Sequence, residues 1–130
     1  MPPSLWTSPI HLGLGATAVP QPEFTGMQWY MDYAARTEAD GREGRLVGIH
    51  RFTEDWASWE MHPSGDEVVL CLEGSMTVHQ ELADGSTHSV TLRPGDYAIN
   101  PPGVWHTADI AGEAVGLFIT AGQGTENRDR

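Results

Sequence analysis

The sequence predicts a single all-β domain, a sandwich or closed barrel, and three observations carry that expectation. Val, Ile, Thr, Trp and Tyr recur in short runs, and fifteen Gly and nine Pro supply turns between them. The runs are spaced almost regularly, and no amphipathic stretch of helical length interrupts them. At 130 residues the chain has room for one proper core and not for two.

Residues 1–26 hold five of the nine prolines and show no periodicity, so they read as an extended arm against the domain. Met27 to Tyr33 is a candidate first strand, and the polar Arg36 to Gly44 stretch, with Asp40-Gly41 as its turn signal, is an exposed loop. Strand signals then follow in series: Arg45 to Phe52, Trp56 to His62, Glu67 to Glu73, and Ser75 to Leu82. Asp84-Gly85 marks a hairpin that Ser86 to Leu92 answers. Arg93-Pro94-Gly95-Asp96 is a tight turn before Tyr97 to Asn100, and Pro101-Pro102-Gly103 is a rigid corner. Val104 to Asp109 and Glu113 to Ala121 complete a domain over 27–121, and the polar tail 122–130 is expected to fray.

The formal net charge is -11 and the chain has no lysine, its seven basic residues all being Arg. Such an acidic surface repels phosphate backbones and anionic lipid, so neither nucleic acid nor membrane is an expected partner. Without lysine, Schiff-base chemistry is excluded. Cys71 is the sole cysteine and lies in an apolar run, which suits a small buried hydrophobe. No secretory leader and no membrane-spanning run is recognisable, and the expected location is the cytoplasm.

One constellation points to chemistry. Glu60 and His62 stand two apart in a strand and so share a face. The Pro63 to Asp66 turn then reverses the chain and brings Glu67 beside them. After the Pro101-Pro102-Gly103 corner, His106 offers a fourth group. Two imidazoles and two carboxylates suit one divalent ion, with Fe, Mn, Ni, Co and Zn all open, and the carboxylates neutralise its charge.

The spacings in 60–74 and 95–110 resemble the paired motifs of the cupin superfamily, written G-x5-H-x-H-x3,4-E-x6-G and G-x5-P-x-G-x2-H-x3-N. The resemblance covers roughly 45 to 121 and implies a single-domain cupin jelly-roll β-barrel with a metal held by Glu60, His62, Glu67 and His106. Three positions depart from the pattern: Glu60 replaces the usual first His, Ile110 the usual final Asn, and Glu54 the usual leading Gly. Cupins include dioxygenases, decarboxylases, isomerases, epimerases and lyases, so the resemblance implies a metal-dependent enzyme on a small oxygen-bearing substrate without selecting a reaction. The alternative is a small-ligand receptor or sensor. His50, His79 and His88 fall outside the motifs and read as surface or packing residues, while His11 carries no signal.

Strand parity extends the site. With Glu60 and His62 inward, Ser58 and Trp56 also face in, Trp56 being either a pocket wall or core filler. Val69 faces in beside Glu67, and Tyr97, Tyr30 and Tyr33 are further candidates for the pocket. Glu60 is either a ligand or a general base beside the metal. The outward Trp59, Met61, Val68, Leu70 and Leu72 make an apolar patch that a second copy of the chain is expected to cover as a homodimer.

Overall fold

The computed structural model describes residues 1–130. Nine strands make a jelly-roll barrel: β1 (Ile10–Gly13), β2 (Thr17–Pro20), β3 (Arg45–Phe52), β4 (Ser58–Met61), β5 (Glu67–Glu81), β6 (Thr87–Leu92), β7 (Tyr97–Asn100), β8 (His106–Thr120) and β9 (Glu126–Asp129). Helix α1 (Met27–Arg36) and a 3-10 segment (Glu38–Glu43) lie between β2 and β3. All strand pairs are antiparallel.

Two fifteen-residue strands, β5 and β8, run through both faces of the barrel. Their first and last halves pair with different neighbours: one ladder runs β2-β1-β3-β8-β5-β7, the other β9-β4-β8-β5-β6. The sequence suggests a break at Gly74 and another near Ile110, but both strands continue through irregular register instead. Gly74 shows why the glycine is needed. It has φ +70°, and a Cβ there would lie 2.0 Å from the Glu113 carbonyl oxygen of β8, so only glycine lets the two backbones close at the bend.

The core lies between the ladders and is built from inward residues of both long strands, among them Val69, Cys71, Met76, Val78, Ala108 and Phe118. Cys71 is fully buried there, as a small hydrophobe would be.

Three expectations outside the motifs are corrected. Met27 to Tyr33 is helix, not strand. Alternation and helical spacing both group its aromatics, but Trp29 and Tyr33 stack one turn apart at 5.4 Å and 8°. Gln28 also bonds Asp32 at 3.1 Å across the same turn. Trp29 is 4% exposed, and its indole N–H donates to Pro22 O at 3.0 Å, fixing the helix to the segment before it. The N-terminal residues are not a bare extended arm, because β1 and β2 form a hairpin that β1 attaches to β3. The tail does not fray: β9 pairs with β4 through Ser58↔Asp129 to Met61↔Glu126.

Candidate metal centre

Cross-strand register assembles the four expected donors. Glu60 of β4 pairs directly with His106 of β8. Glu67 opens β5 between Asn100 of β7 and Thr120 of β8. His62 follows the end of β4, where its carbonyl accepts the Gly103 N–H at 3.1 Å, so the Pro101-Pro102-Gly103 corner holds it in place. One ligand atom from each of Glu60, His62, Glu67 and His106 lies within 4.8 Å of the others, and the group could hold a metal ion.

The hydrogen bonds behind the donors decide which atoms are free. Thr125 Oγ1 gives its proton to Gly122 O at 2.8 Å, so at 2.7 Å it accepts from His62 Nδ1–H. His106 Nδ1 faces the Val104 carbonyl at 3.3 Å, which can only accept. Both rings are therefore Nδ1-protonated in their neutral form, and both Nε2 lone pairs face the centre. Those Nε2 atoms are buried and make no hydrogen bond of acceptable geometry, although they approach Glu67 oxygens at 3.2 and 3.1 Å. Two orphaned imidazole nitrogens aimed at a buried carboxylate fit a divalent cation between them.

Glu67 is equally well oriented. Its Oε1 accepts from Asn100 Nδ2 at 3.1 Å and its Oε2 from Thr120 Oγ1 at 2.6 Å. Gln80 Nε2 donates to Asn100 Oδ1 at 2.7 Å, which settles which end of that amide faces Glu67. Burial opposes ionisation of Glu67, but the His106 and His62 rings beside it outweigh burial and hold its carboxyl well below the usual carboxylate range. Burial lowers the pKa of His62, yet Glu67 and then Glu60 overcome it and the net direction is upward.

Glu60 differs from the other three. Its Oε2 stands 3.6 Å from His62 Nε2 and 4.0 Å from His106 Nε2, and no side chain orients it. Its side chain is 34% exposed where that of Glu67 is 3%. Burial first, and then the charge of Glu67, raises its pKa.

The group opens into a cavity of about 890 Å³. Ser58 and Trp56 line it, as parity predicts. Trp56 is also core filler, packing against Phe118 at 6.0 Å and Phe52 at 5.5 Å, so both of its readings hold at once. Val69 and Tyr97 do not line it. Val69 is 1% exposed inside the core beneath the site, and Tyr97 points outward on β7, 64% exposed.

Several lining residues carry no recognisable motif. Met27 of α1 is one of them; it lines the cavity together with the pocket candidates Tyr30 and Tyr33, and burial, with Glu60 and Glu67 adding, raises the Tyr30 pKa. His50 is a cavity residue between Phe52 and Phe118, not a surface one. His11 is 4% exposed and joins the mouth of the cavity, its Nδ1 at 2.6 Å from Tyr33 Oη and its Nε2 at 2.6 Å from Asp40 Oδ2. That bridge ties β1 to α1 and the 3-10 segment. The helical spacing of Trp29 and Tyr33 was the available signal that the element carrying Tyr30 and Tyr33 is a helix; nothing in the sequence marks His11.

Known proteins resemble the chain in its fold. Residues 53–121 match the family model described as the cupin domain. No curated protein sequence matches the chain. Among solved structures, oxalate oxidase in complex with the substrate analogue glycolate aligns at TM-score 0.59 and 18% identity, over 72% of this chain and 50% of that one. Hydroquinone 1,2-dioxygenase from Sphingomonas sp. TTNP3 with 4-hydroxybenzoate bound aligns at TM-score 0.50 and 20% identity, over 58% of this chain and 59% of that one. A Neisseria meningitidis protein aligns at 28% identity with TM-score 0.48, over 58% of this chain and 71% of that one. The chain thus spans about half of the first structure and three fifths of the second. At these identities the likeness is one of fold.

Proposed function

The chain belongs to the cupin domain family, and on that footing we propose that it is a metal-dependent enzyme acting on a small oxygen-bearing organic molecule, with Glu60, His62, Glu67 and His106 around one divalent ion. The observation that carries the reading is the asymmetry of the four donors. His62, Glu67 and His106 are each held by a second residue, as permanent ligands are. Glu60 is unheld and faces the cavity.

A bound divalent ion supplies Lewis-acid polarisation of a substrate oxygen or, for iron, redox chemistry with dioxygen. The chain's own residues supply the rest. Glu60 is placed to serve as fourth ligand or to take a proton from the substrate. Phe52, Trp56 and Phe118 form a dry wall that keeps water from the reacting atoms. Tyr30, which also lines the cavity, is placed to hydrogen-bond a substrate oxygen. A receptor role would use the same cavity without turnover, but it gives the unheld Glu60 carboxylate no task.

The oligomer and location expected from the sequence stay part of this proposal. No helix of the chain is long and apolar enough to cross a membrane. A homodimer is supported by the outer face of β5 and β7, where Val68 and Leu70 stand opposite Ile99 and Tyr97. Of these Ile99 is 48% and Tyr97 64% exposed, with Leu72 beyond them at 39%. Trp59 is withdrawn from that patch, since Arg128 of the same chain covers its ring at 5.3 Å.

Elemental analysis of protein purified without a metal-affinity step tests the central reading. About one Fe, Mn, Ni, Co or Zn per chain is expected. Protein that carries none of these, and takes none up after chelator treatment, overturns it.

A further inference from the structure

We infer that the cavity selects an uncharged planar molecule bearing hydroxyl or carbonyl oxygens and discriminates against carboxylates and phosphates. This deepens the metal-enzyme reading and rests on it for the position of the substrate's oxygens. Charge carries the first half. All seven basic residues of the chain are arginines, and none of them lines the cavity. The four with a described partner are engaged elsewhere. Arg36 donates to Gln21 Oε1 and lies over the Trp29 ring, Arg51 pairs with Glu113, Arg128 with Glu81, and Arg130 with Asp109.

Glu38, Glu60 and Glu67 do line the cavity. A divalent ion between Glu60 and Glu67 is formally neutralised by them, which leaves the site no net positive charge to draw in a substrate anion. An anion entering here would lose its hydration and meet no arginine or lysine, and a buried charge without such a partner is strongly disfavoured.

Shape carries the second half. His50, Phe52, Trp56 and Phe118 make a continuous aromatic wall, with neighbouring ring centroids 5.5 to 6.2 Å apart. Tyr30 and Tyr33 of α1 also line the cavity. A flat molecule laid against that wall gains contact over its whole face.

The test compares two molecules of one shape and different charge, 3,4-dihydroxybenzamide and 3,4-dihydroxybenzoate, by anaerobic titration calorimetry. Each is titrated into cobalt-loaded and into metal-free protein. The amide is expected to bind at least about tenfold more tightly than the carboxylate in the cobalt-loaded form, and to keep a smaller preference in the metal-free form, where a charged His62 ring offsets part of the repulsion. Ala34→Arg places a guanidinium on the exposed face of α1 beside the cavity and is expected to shrink or reverse the ratio. Equal or tighter binding of the carboxylate by the unaltered protein overturns the inference, as does binding of neither molecule at millimolar concentration in both forms. Failure to load cobalt would count against the metal reading alone, because the metal-free comparison still reads the cavity's preference.

Discussion

Thr125 Oγ1 lies 2.7 Å from Nδ1 of His62, and the Thr125 hydroxyl is already committed as a donor to Gly122 O. The threonine can therefore only accept, and the imidazole must carry its proton on Nδ1. A residue of the C-terminal segment thus chooses which nitrogen of His62 is available at the centre. The segment is held there because β9 pairs with β4, the strand that leads into His62.

Thr125→Val is expected to lower metal affinity by about 10- to 100-fold, the usual range for removing a hydrogen bond that orients a ligating histidine. Thr125→Ser keeps the acceptor and is expected to restore most of it. Competition with a chelator of known affinity reads both. Equal affinities in all three proteins would show that the threonine plays no part in orienting His62.

With His62 as a ligand, protons are expected to compete with the metal there. In the metal-free protein Glu67 and Glu60 raise its pKa, so the charged ring persists to higher pH than an isolated imidazole. Metal binding must displace that proton, and below the raised pKa the affinity is expected to fall by roughly tenfold per pH unit for each proton displaced. Retention after chelator treatment, measured from pH 8 down to about pH 5, checks this; a flat profile would show that His62 is not a ligand.

The four donors were legible in the sequence because the strand period and two turns fix them locally. Glu60 and His62 need only alternation, Glu67 only the Pro63 to Asp66 reversal, and His106 only the proline corner. The cavity was half legible for the same reason. Trp56 and Ser58 follow from parity on the strand that carries Glu60, whereas Tyr97 faces out because it pairs with the outward Leu70. What stayed hidden depends on contacts between segments far apart in the chain. Met27 to Tyr33 satisfies both a period of two and one of 3.6, and the Trp29 bond to Pro22 O is among the tertiary contacts that accompany the helix. His11 becomes part of the mouth only because Asp40 and Tyr33 meet it. Thr125 matters only because β9 finds β4, a pairing that a polar, glycine-rich tail gives no reason to expect.

Gly74→Ala is expected to destabilise the fold by about 3 kcal/mol or more, combining left-handed backbone strain with a steric clash. The clash is with backbone, the Glu113 carbonyl oxygen at 2.0 Å, so no side-chain rotation relieves it. Gly95 and Gly103 also have positive φ but meet nothing within 4 Å, and their alanine variants should lose only the strain. Urea unfolding of the three variants gives the comparison; equal losses would mean that the close approach at Gly74 adds nothing.

A homodimer through the outer face of β5 and β7 is expected to break on Ile99→Glu. The side chain is 48% exposed on an apolar sheet face, so the substitution should leave the isolated chain folded while placing two like charges near a self-complementary contact. Sedimentation at micromolar concentration should show a dimer of the unaltered chain and a monomer near the 14.2 kDa chain mass for the variant. An unaltered protein that sediments as a monomer would leave this face uncovered and end the proposal.

Glu60→Gln and Glu60→His separate the two tasks open to this carboxylate. A ligand needs a lone pair at the end of the side chain, and His supplies one without charge. A base needs a group that ionises and can reach the substrate, and Gln cannot ionise. If Glu60 is mainly a ligand, Glu60→His should retain metal and turnover, and Glu60→Gln should weaken metal binding. If it moves a proton, Glu60→Gln should keep most of its metal, because His62, Glu67 and His106 remain oriented by Thr125, Asn100, Thr120 and Val104. Its turnover should then fall by about 10²- to 10⁴-fold, the usual loss on removing a general base. The unheld, cavity-facing position of Glu60 favours the second outcome, and metal content measured beside turnover on a hydroxylated aromatic such as 3,4-dihydroxybenzamide decides it. Full activity in both variants would remove Glu60 from the chemistry and leave the other three residues as the working site.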